Sequence, residues 1–186
     1  ECLGSDTIIP LLNGTKISIK ELYDNDTKDF WVYSVDKNGD FYPSQCSHVA
    51  YNGKKQMYEV LLDDGTKIKA TANHMWVGVD NKLVQTDQLI AGHSILAKPT
   101  RLSDNKFMPG YEQIFENGKW KYTHRVVANS VLNKEKAALL NEGVEDLVIH
   151  HSSFNKLNND PSQLIWLDYL THKRVHAQFN KELWAD

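Results

Sequence analysis

Over roughly the first hundred residues, apolar and polar positions alternate in short runs broken by turn residues: "TIIPLLNGTKISI", "DFWVYSVDKNGDFYPSQ", "MYEVLLDDGTKIKATANHMWVGV" and "HSILA". β-Branched and aromatic side chains at that spacing predict strands, and the Asn-Gly or Asp-Gly pairs between them predict tight reversals. Asn13-Gly14, Asn38-Gly39 and Asp64-Gly65 each supply a residue that tolerates positive φ. Short helical turns are expected at "SIKELYD" and at "TDQLIAG", the second ended by Gly92. This half reads as an all-β domain of several hairpins.

From about Pro99 the pattern changes. "KPTRLSDNKFMPG" carries two prolines and scattered charge, so a linker is placed at 98–110, between a domain at 1–97 and another at 111–186. Beyond it the pattern predicts a hairpin in "YEQIFENGKWKYTHR" and a helix in "THRVVANSVLN". Next comes "VIHHSSFNKLNNDPSQLIWL", a strand-like start, paired histidines, an asparagine-rich turn and a second apolar run. A final helix is expected, on which Leu164, Leu167, Leu170 and Val175 keep approximate helical spacing. This half reads as a small α+β domain.

Composition narrows the function classes. The chain has 186 residues, 41% of them hydrophobic and 10% aromatic, enough for two small cores. A net charge of −3 excludes a global basic field, so contact with phosphates has to be local. No apolar run approaches the roughly 18 residues that span a bilayer, and no signal-peptide pattern opens the chain, so no membrane partner and a cytoplasmic location are expected. Cys2 and Cys46 cannot form a disulfide framework or a four-thiolate zinc site. Cys2 is read as a reactive thiol and Cys46 as a half-buried structural one.

Cys2 stands at the start of the first strand, and Thr71 and His74 stand three apart at the end of a later one. This set suits acyl transfer at the peptide bond before Cys2. A thiol attacking that carbonyl needs the departing nitrogen protonated, and an imidazole is the side chain matched to the task near pH 7. His74 is assigned that role. Thr71 is expected to hold the amide in a polarised geometry and to donate to the developing oxyanion.

With Cys2, Thr71-Ala72-Asn73-His74 as a T-x-x-H motif, and "KLVQTDQLIAGHSILA", residues 2 to about 97 resemble the N-terminal splicing region of inteins, the horseshoe-like Hint fold. The resemblance implies an N–S acyl shift at Cys2, with Glu1 as the last residue of a host extein protein, and no cofactor for splicing. The chain ends "NKELWAD" without the terminal His-Asn pair of that family, so a complementing C-terminal intein fragment is the expected partner.

The second half holds five of the eight histidines. Adjacent residues of an extended segment point to opposite sides, so one of His150 and His151 can ligate a metal while the other faces an attacking water. His172 follows in the last predicted helix, with His176 one turn on. "HHSSFNKLNNDPSQLIWL" and the upstream "YTHRVVANSV" resemble the HNH homing endonucleases and their ββα-metal motif. That resemblance implies His151 as general base, His150 and His172 as metal ligands, and Asn155, Asn158 and Asn159 as shapers of the loop. It also implies Mg²⁺ or another divalent cation, and double-stranded DNA as substrate. Gln163 stands where the family has its central asparagine, and Ser153 where it often has aspartate. Lys119, Lys121, Arg125, Lys156, Lys173 and Arg174 are the candidate phosphate contacts.

The leading expectation is therefore an intein fragment with an HNH nuclease. The alternatives are a working splicing domain beside a degenerate nuclease that only binds DNA or acts as scaffold, and a Hint domain that cleaves without ligating.

Overall fold

The computed structural model describes residues 2–36, 38–116 and 118–183. The chain divides into two compact units, Glu1–Pro99 and Thr100–Asp186.

Hairpins dominate the first unit. β1 (Ile8–Pro10) pairs with β2 (Lys16–Ser18); α1 (Ile19–Asp24) follows, and β3 (Phe30–Val35) pairs with β4 (Phe41–Cys46). β5 (Tyr58–Leu61) pairs with β6 (Lys67–Ala70), and β7 (Met75–Val77) with β8 (Leu83–Gln85). All four pairs are antiparallel. Three reversals share one geometry: Gly14, Gly39 and Gly65 take φ of +86°, +80° and +83°, and their N–H groups donate to Leu11, Asp36 and Leu62 carbonyls. Only a residue free of Cβ strain holds that conformation cheaply, which is why the Asn-Gly and Asp-Gly pairs are informative.

α1 is short but closed at its start by reciprocal bonds: the Glu21 N–H donates to Ser18 Oγ, and the Ser18 N–H donates to the Glu21 carboxylate. The predicted turn at "TDQLIAG" is a 3-10 turn over Thr86–Gln88. "HSILA" forms no strand; Ile95 makes only an isolated bridge to Gly78. Isolated bridges also join Leu3 to Ala70 and Leu11 to Val32. The first of these brings Leu3 beside the end of β6.

In the second unit, β9 (Thr100–Leu102), β10 (Glu112–Glu116) and β11 (Lys119–Tyr122) form an antiparallel sheet in the order β11-β10-β9. The segment read as a linker thus contributes an edge strand. Backbone bonds from Ser103 to Tyr111 and from Gly110 to Ser103 close the intervening loop. α2 (Thr123–Val131) buries Thr123, His124, Val127 and Ala128, and packs on β10, β11, β12 and β13. α3 (Asn133–Asn141) buries nothing. Its Ala, Lys, Glu and Leu favour helix without forming an apolar stripe, so periodicity passes over it.

β12 (Leu147–His151) pairs antiparallel with β13 (Leu164–Asp168), and α4 (Tyr169–Leu183) follows at once and packs on both. The expectation that Leu164 and Leu167 lie on the final helix is corrected: both are strand residues, paired with His151 and Val148. Their spacing by three mimics a helix, but Asp168 sets the boundary. Its carboxylate accepts from the Thr171 N–H at 2.9 Å, and bonding to Thr171 holds its pKa below the usual aspartate value. The Trp166 indole N–H donates to the Leu132 carbonyl at the end of α2, tying β13 to the helical layer. Between the strands, Phe154 takes φ of +56°, a left-handed conformation that costs a bulky residue roughly 1–2 kcal/mol.

Ile114 is 1% exposed at the centre of the three-stranded sheet. Replacing it by alanine leaves a cavity there, and chemical denaturation of Ile114→Ala is expected to show a loss of about 2–5 kcal/mol.

Candidate functional site

Two constellations of reactive side chains emerge, one in each unit. In the first, the Leu3–Ala70 bridge aligns Cys2 with Thr71. The Cys2 N–H donates to Thr71 Oγ1 at 3.0 Å, and the Thr71 N–H donates to the Cys2 carbonyl at 3.0 Å. The Thr71 hydroxyl in turn donates to Asn73 Oδ1 at 2.9 Å, the shorter of its two acceptor contacts. Thr71 therefore grips the amide nitrogen at residue 2, with its own proton engaged by Asn73. The oxyanion role expected of it concerns the carbonyl of Glu1, which lies outside the described residues.

His74 sits at the end of the same turn. Its N–H donates to the Thr71 carbonyl, and its own carbonyl accepts from both the N–H and the hydroxyl of Thr86. The Trp76 indole also donates to the Thr86 hydroxyl, and the Trp76 ring meets the imidazole edge-to-face at 5.4 Å. This web fixes the T-x-x-H backbone from a distant segment. Beside Cys2 opens a cavity of about 570 Å³, walled in part by Tyr23, Tyr51, Asn52 and Met57. The Asn52 amide donates to Cys2 Sγ at 3.7 Å. Asn52 carries no signal in the sequence, because only folding brings it fifty residues back to the thiol. Cys46 is half-buried at the end of β4, where burial pushes its thiol pKa up.

The second constellation follows from strand geometry. His150 and His151 are both buried, on opposite faces of β12. His150 faces α4: its ring lies 5.4 Å from His172 and 5.0 Å from His176. One ligand atom from each of these three histidines falls within 4.8 Å of the others. The expected pair His150 and His172 is thus joined by His176, whose place one helical turn after His172 is the available signal. Burial, then the neighbouring His176 and His172, push the His150 pKa down to about 4; burial and His176 lower that of His172. Neutral imidazoles are what a metal requires. His150 Nδ1 is buried without a hydrogen-bond partner among the described residues, as a group awaiting a ligand would be.

His151 faces the other way, with Tyr111 at 5.7 Å and His124 at 5.1 Å between ring centroids. Burial lowers its pKa, and the Asn159 side chain opposes that shift. Asn159 is 1% exposed, and its side-chain amide donates to the Leu157 carbonyl at 3.4 Å within the loop. Asn155 and Asn158 are loop shapers, accepting from the N–H groups of Leu157 and Asp160. Gln163 closes the neck of the loop: its backbone carbonyl accepts from the Ser152 N–H at 2.9 Å, and its Oε1 accepts from the Ser152 hydroxyl at 3.1 Å. The longer amide still ties the two strand ends together. Ser153 is exposed.

The basic residues are spread. Lys121 pairs with Glu116, Lys156 donates to the Pro109 carbonyl, Arg125 contacts Met108 and the Tyr122 ring, and Lys173 lies over Tyr169. Lys119 and Arg174 make no ion pair among the described residues. No helix among the described residues is long and apolar enough to cross a membrane.

Comparison with known proteins gives these arrangements a family context. The model of the intein splicing domain family matches residues 9–177. A DNA gyrase polypeptide of Synechocystis sp. strain PCC 6803 is 24% identical over 186 residues, covering 95% of this chain and 17% of that protein. Replicative DNA helicase DnaB of the same organism is 35% identical over 81 residues, 42% of this chain and 9% of that protein. The chain thus spans less than a fifth of the length of either curated relative. Among solved structures, a mutant of a Ssp DnaB mini-intein variant superposes with a TM-score of 0.50 at 26% identity, covering 58% of this chain and 68% of that one. A DnaB intein from Synechocystis sp. PCC 6803 gives 0.47 at 29% identity, covering 61% and 76%.

His124 yields a pH prediction. Burial, then the neighbouring His151 and Arg125, push its pKa down to about 3, against roughly 6.5 for an unfolded histidine. The unfolded chain binds the extra proton between those values, so this contribution to stability is intact above pH 6.5 and is lost as pH falls toward 3. Urea titrations of the wild type at pH 7, 5.5 and 4.5 are expected to show stability falling by up to about 1.4 kcal/mol per pH unit from this group, with a shallower slope in His124→Gln.

Proposed function

Because the chain belongs to the intein splicing domain family, we propose that Cys2 is the nucleophile of its autocatalytic chemistry and that His74 and Thr71 act on the bond before it. Cys2 Sγ attacks the carbonyl carbon of Glu1; the C–S bond forms as the C–N bond breaks, and the thiol's proton ends on the Cys2 amine. The observation that carries this reading is the bond from the Cys2 N–H to Thr71 Oγ1. An oxygen accepting from that N–H raises electron density on the nitrogen as amide resonance is lost, which favours its protonation. His74 delivers a proton to the nitrogen and is reset by the one that the thiol loses, so that the net transfer is from sulfur to nitrogen. The near-complete coverage of this chain by a small share of a large relative is the pattern expected of an insert in a host protein.

The second unit is a metal-dependent HNH homing endonuclease that cleaves or nicks double-stranded DNA. The strand–strand–helix order, the three-histidine cluster and the separate buried His151 support this. His150, His172 and His176 would hold the ion, whose chemistry when bound is to neutralise charge at the phosphate and its leaving oxygen. Three imidazoles without a carboxylate suit a borderline ion such as Zn²⁺ or Ni²⁺ better than Mg²⁺. His151 takes the proton from the attacking water.

Preceded by a short host sequence, the chain is expected to be cleaved before Cys2 by added thiol. Cys2→Ala abolishes that cleavage, and His74→Ala slows it about 10²–10⁴-fold; cleavage that survives either change at the wild-type rate sinks the assignment. For the nuclease, a plasmid carrying the uninterrupted host gene is incubated with the chain, with and without divalent ions. Metal-dependent nicking that disappears in His151→Ala is expected. Binding without nicking, unchanged by that substitution, would instead assign the unit as a degenerate DNA-binding module.

A further inference from the structure

Metal-ligating histidines are ordinarily oriented by a hydrogen bond from the second ring nitrogen to a carboxylate or carbonyl. Among the described residues, none of the His150, His172 and His176 imidazoles has such a partner. The rings of His150 and His176 are packed instead against Phe154. The Phe154 ring meets His150 at 5.0 Å and 79°, and His176 at 5.3 Å and 82°, in both cases edge-to-face. Behind it, Phe179 stacks on Phe154 at 3.7 Å and 8°. Phe179 lies three residues after His176 on α4, so one helix presents both the ligand and the backing ring.

The backbone of Phe154 points the same way. A φ of +56° is one that bulky side chains rarely adopt, and such outliers persist where the surroundings over-determine them and cluster at functional sites. Glycine would take this conformation without strain. Phenylalanine bears a strain here that glycine would not, and it is the ring that reaches the two histidines.

We infer that Phe154 and Phe179 form an aromatic clamp that orients His150 and His176 for a divalent ion, replacing the hydrogen-bonded outer shell usual at histidine metal sites. Both are positioning residues. The edge-to-face contacts set the tilt of two imidazoles, and the stacked pair gives the loop carrying Phe154 a fixed seat on α4. This rests on the three-histidine metal reading given above.

The test is Co²⁺ and Zn²⁺ binding to the full chain, followed by the Co²⁺ visible absorption band, which reports ligand geometry, and by competition with a chelator. Wild type is expected to bind, with binding lost in His172→Ala. Phe154→Gly, which removes ring and strain together, and Phe179→Leu, which leaves residue 154 untouched and keeps α4 apolar, are each expected to weaken binding about 10–100-fold and to alter the Co²⁺ band. Phe179→Tyr, which keeps the stacked ring, is expected to restore both. Melting in chelator within a few degrees of wild type separates lost affinity from lost fold, with Phe179→Leu as the milder variant. Wild-type affinity and an unchanged band in both clamp variants would overturn the clamp alone. Absence of His172-dependent binding in the wild type would overturn the metal reading and the clamp with it.

Discussion

In β12 the residues His150 and His151 are paired with Ile165 and Leu164 of β13, and that pairing leaves the two imidazoles no choice of side. Antiparallel register turns a sequence doublet into two chemically separate groups. His150 is committed to the face covered by α4, His151 to the face shared with Tyr111 and His124. A slip of one residue would exchange them and dismantle both arrangements. The first unit obeys the same constraint: the Leu3–Ala70 bridge fixes which residue faces Thr71, and so sets the grip on the Cys2 nitrogen.

Desolvation follows from this placement. Imidazoles driven under helices and against aromatic rings lose water, and their pKa values fall, to about 3 at His124 and about 4 at His150. Neutrality suits a proton acceptor and a metal ligand alike. The same burial leaves polar atoms of His124, His150, His151 and Asn159 without partners among the described residues, each costing about 1–3 kcal/mol. A cluster of such costs in one region is tolerated where water or a ligand completes it.

Much of the architecture is legible in the chain alone, for reasons that differ by element. The hairpins at Asn13-Gly14, Asn38-Gly39 and Asp64-Gly65 are readable because a two-residue signal dictates a backbone sign. α1 is readable as a short helical turn in "SIKELYD", and its capping box explains why so brief a helix holds. α3 escapes because propensity without an apolar face leaves no periodic trace. The run from Leu164 to Leu167 misleads because spacing by three fits a helix, while the Asp168 cap that ends the strand acts through local hydrogen bonding to Thr171. At the sites, Cys2, Thr71, His74, His150, His151 and His172 are visible as residue types in suggestive order. Asn52 and the Phe154–Phe179 stack are not.

By itself the sequence determined the local grammar: which peptide groups reverse direction, which side chains can attack, ligate or transfer protons, and where one pattern yields to another. These are properties of short segments, set by sterics and side-chain chemistry that need no partner. Only the tertiary structure decided which distant groups meet. It placed Thr71 on the Cys2 amide, Asn159 against His151, and His176 beside His150 and His172. Those meetings depend on strand register and helix packing, in which small contributions spread over the whole chain combine, and no single segment encodes their sum.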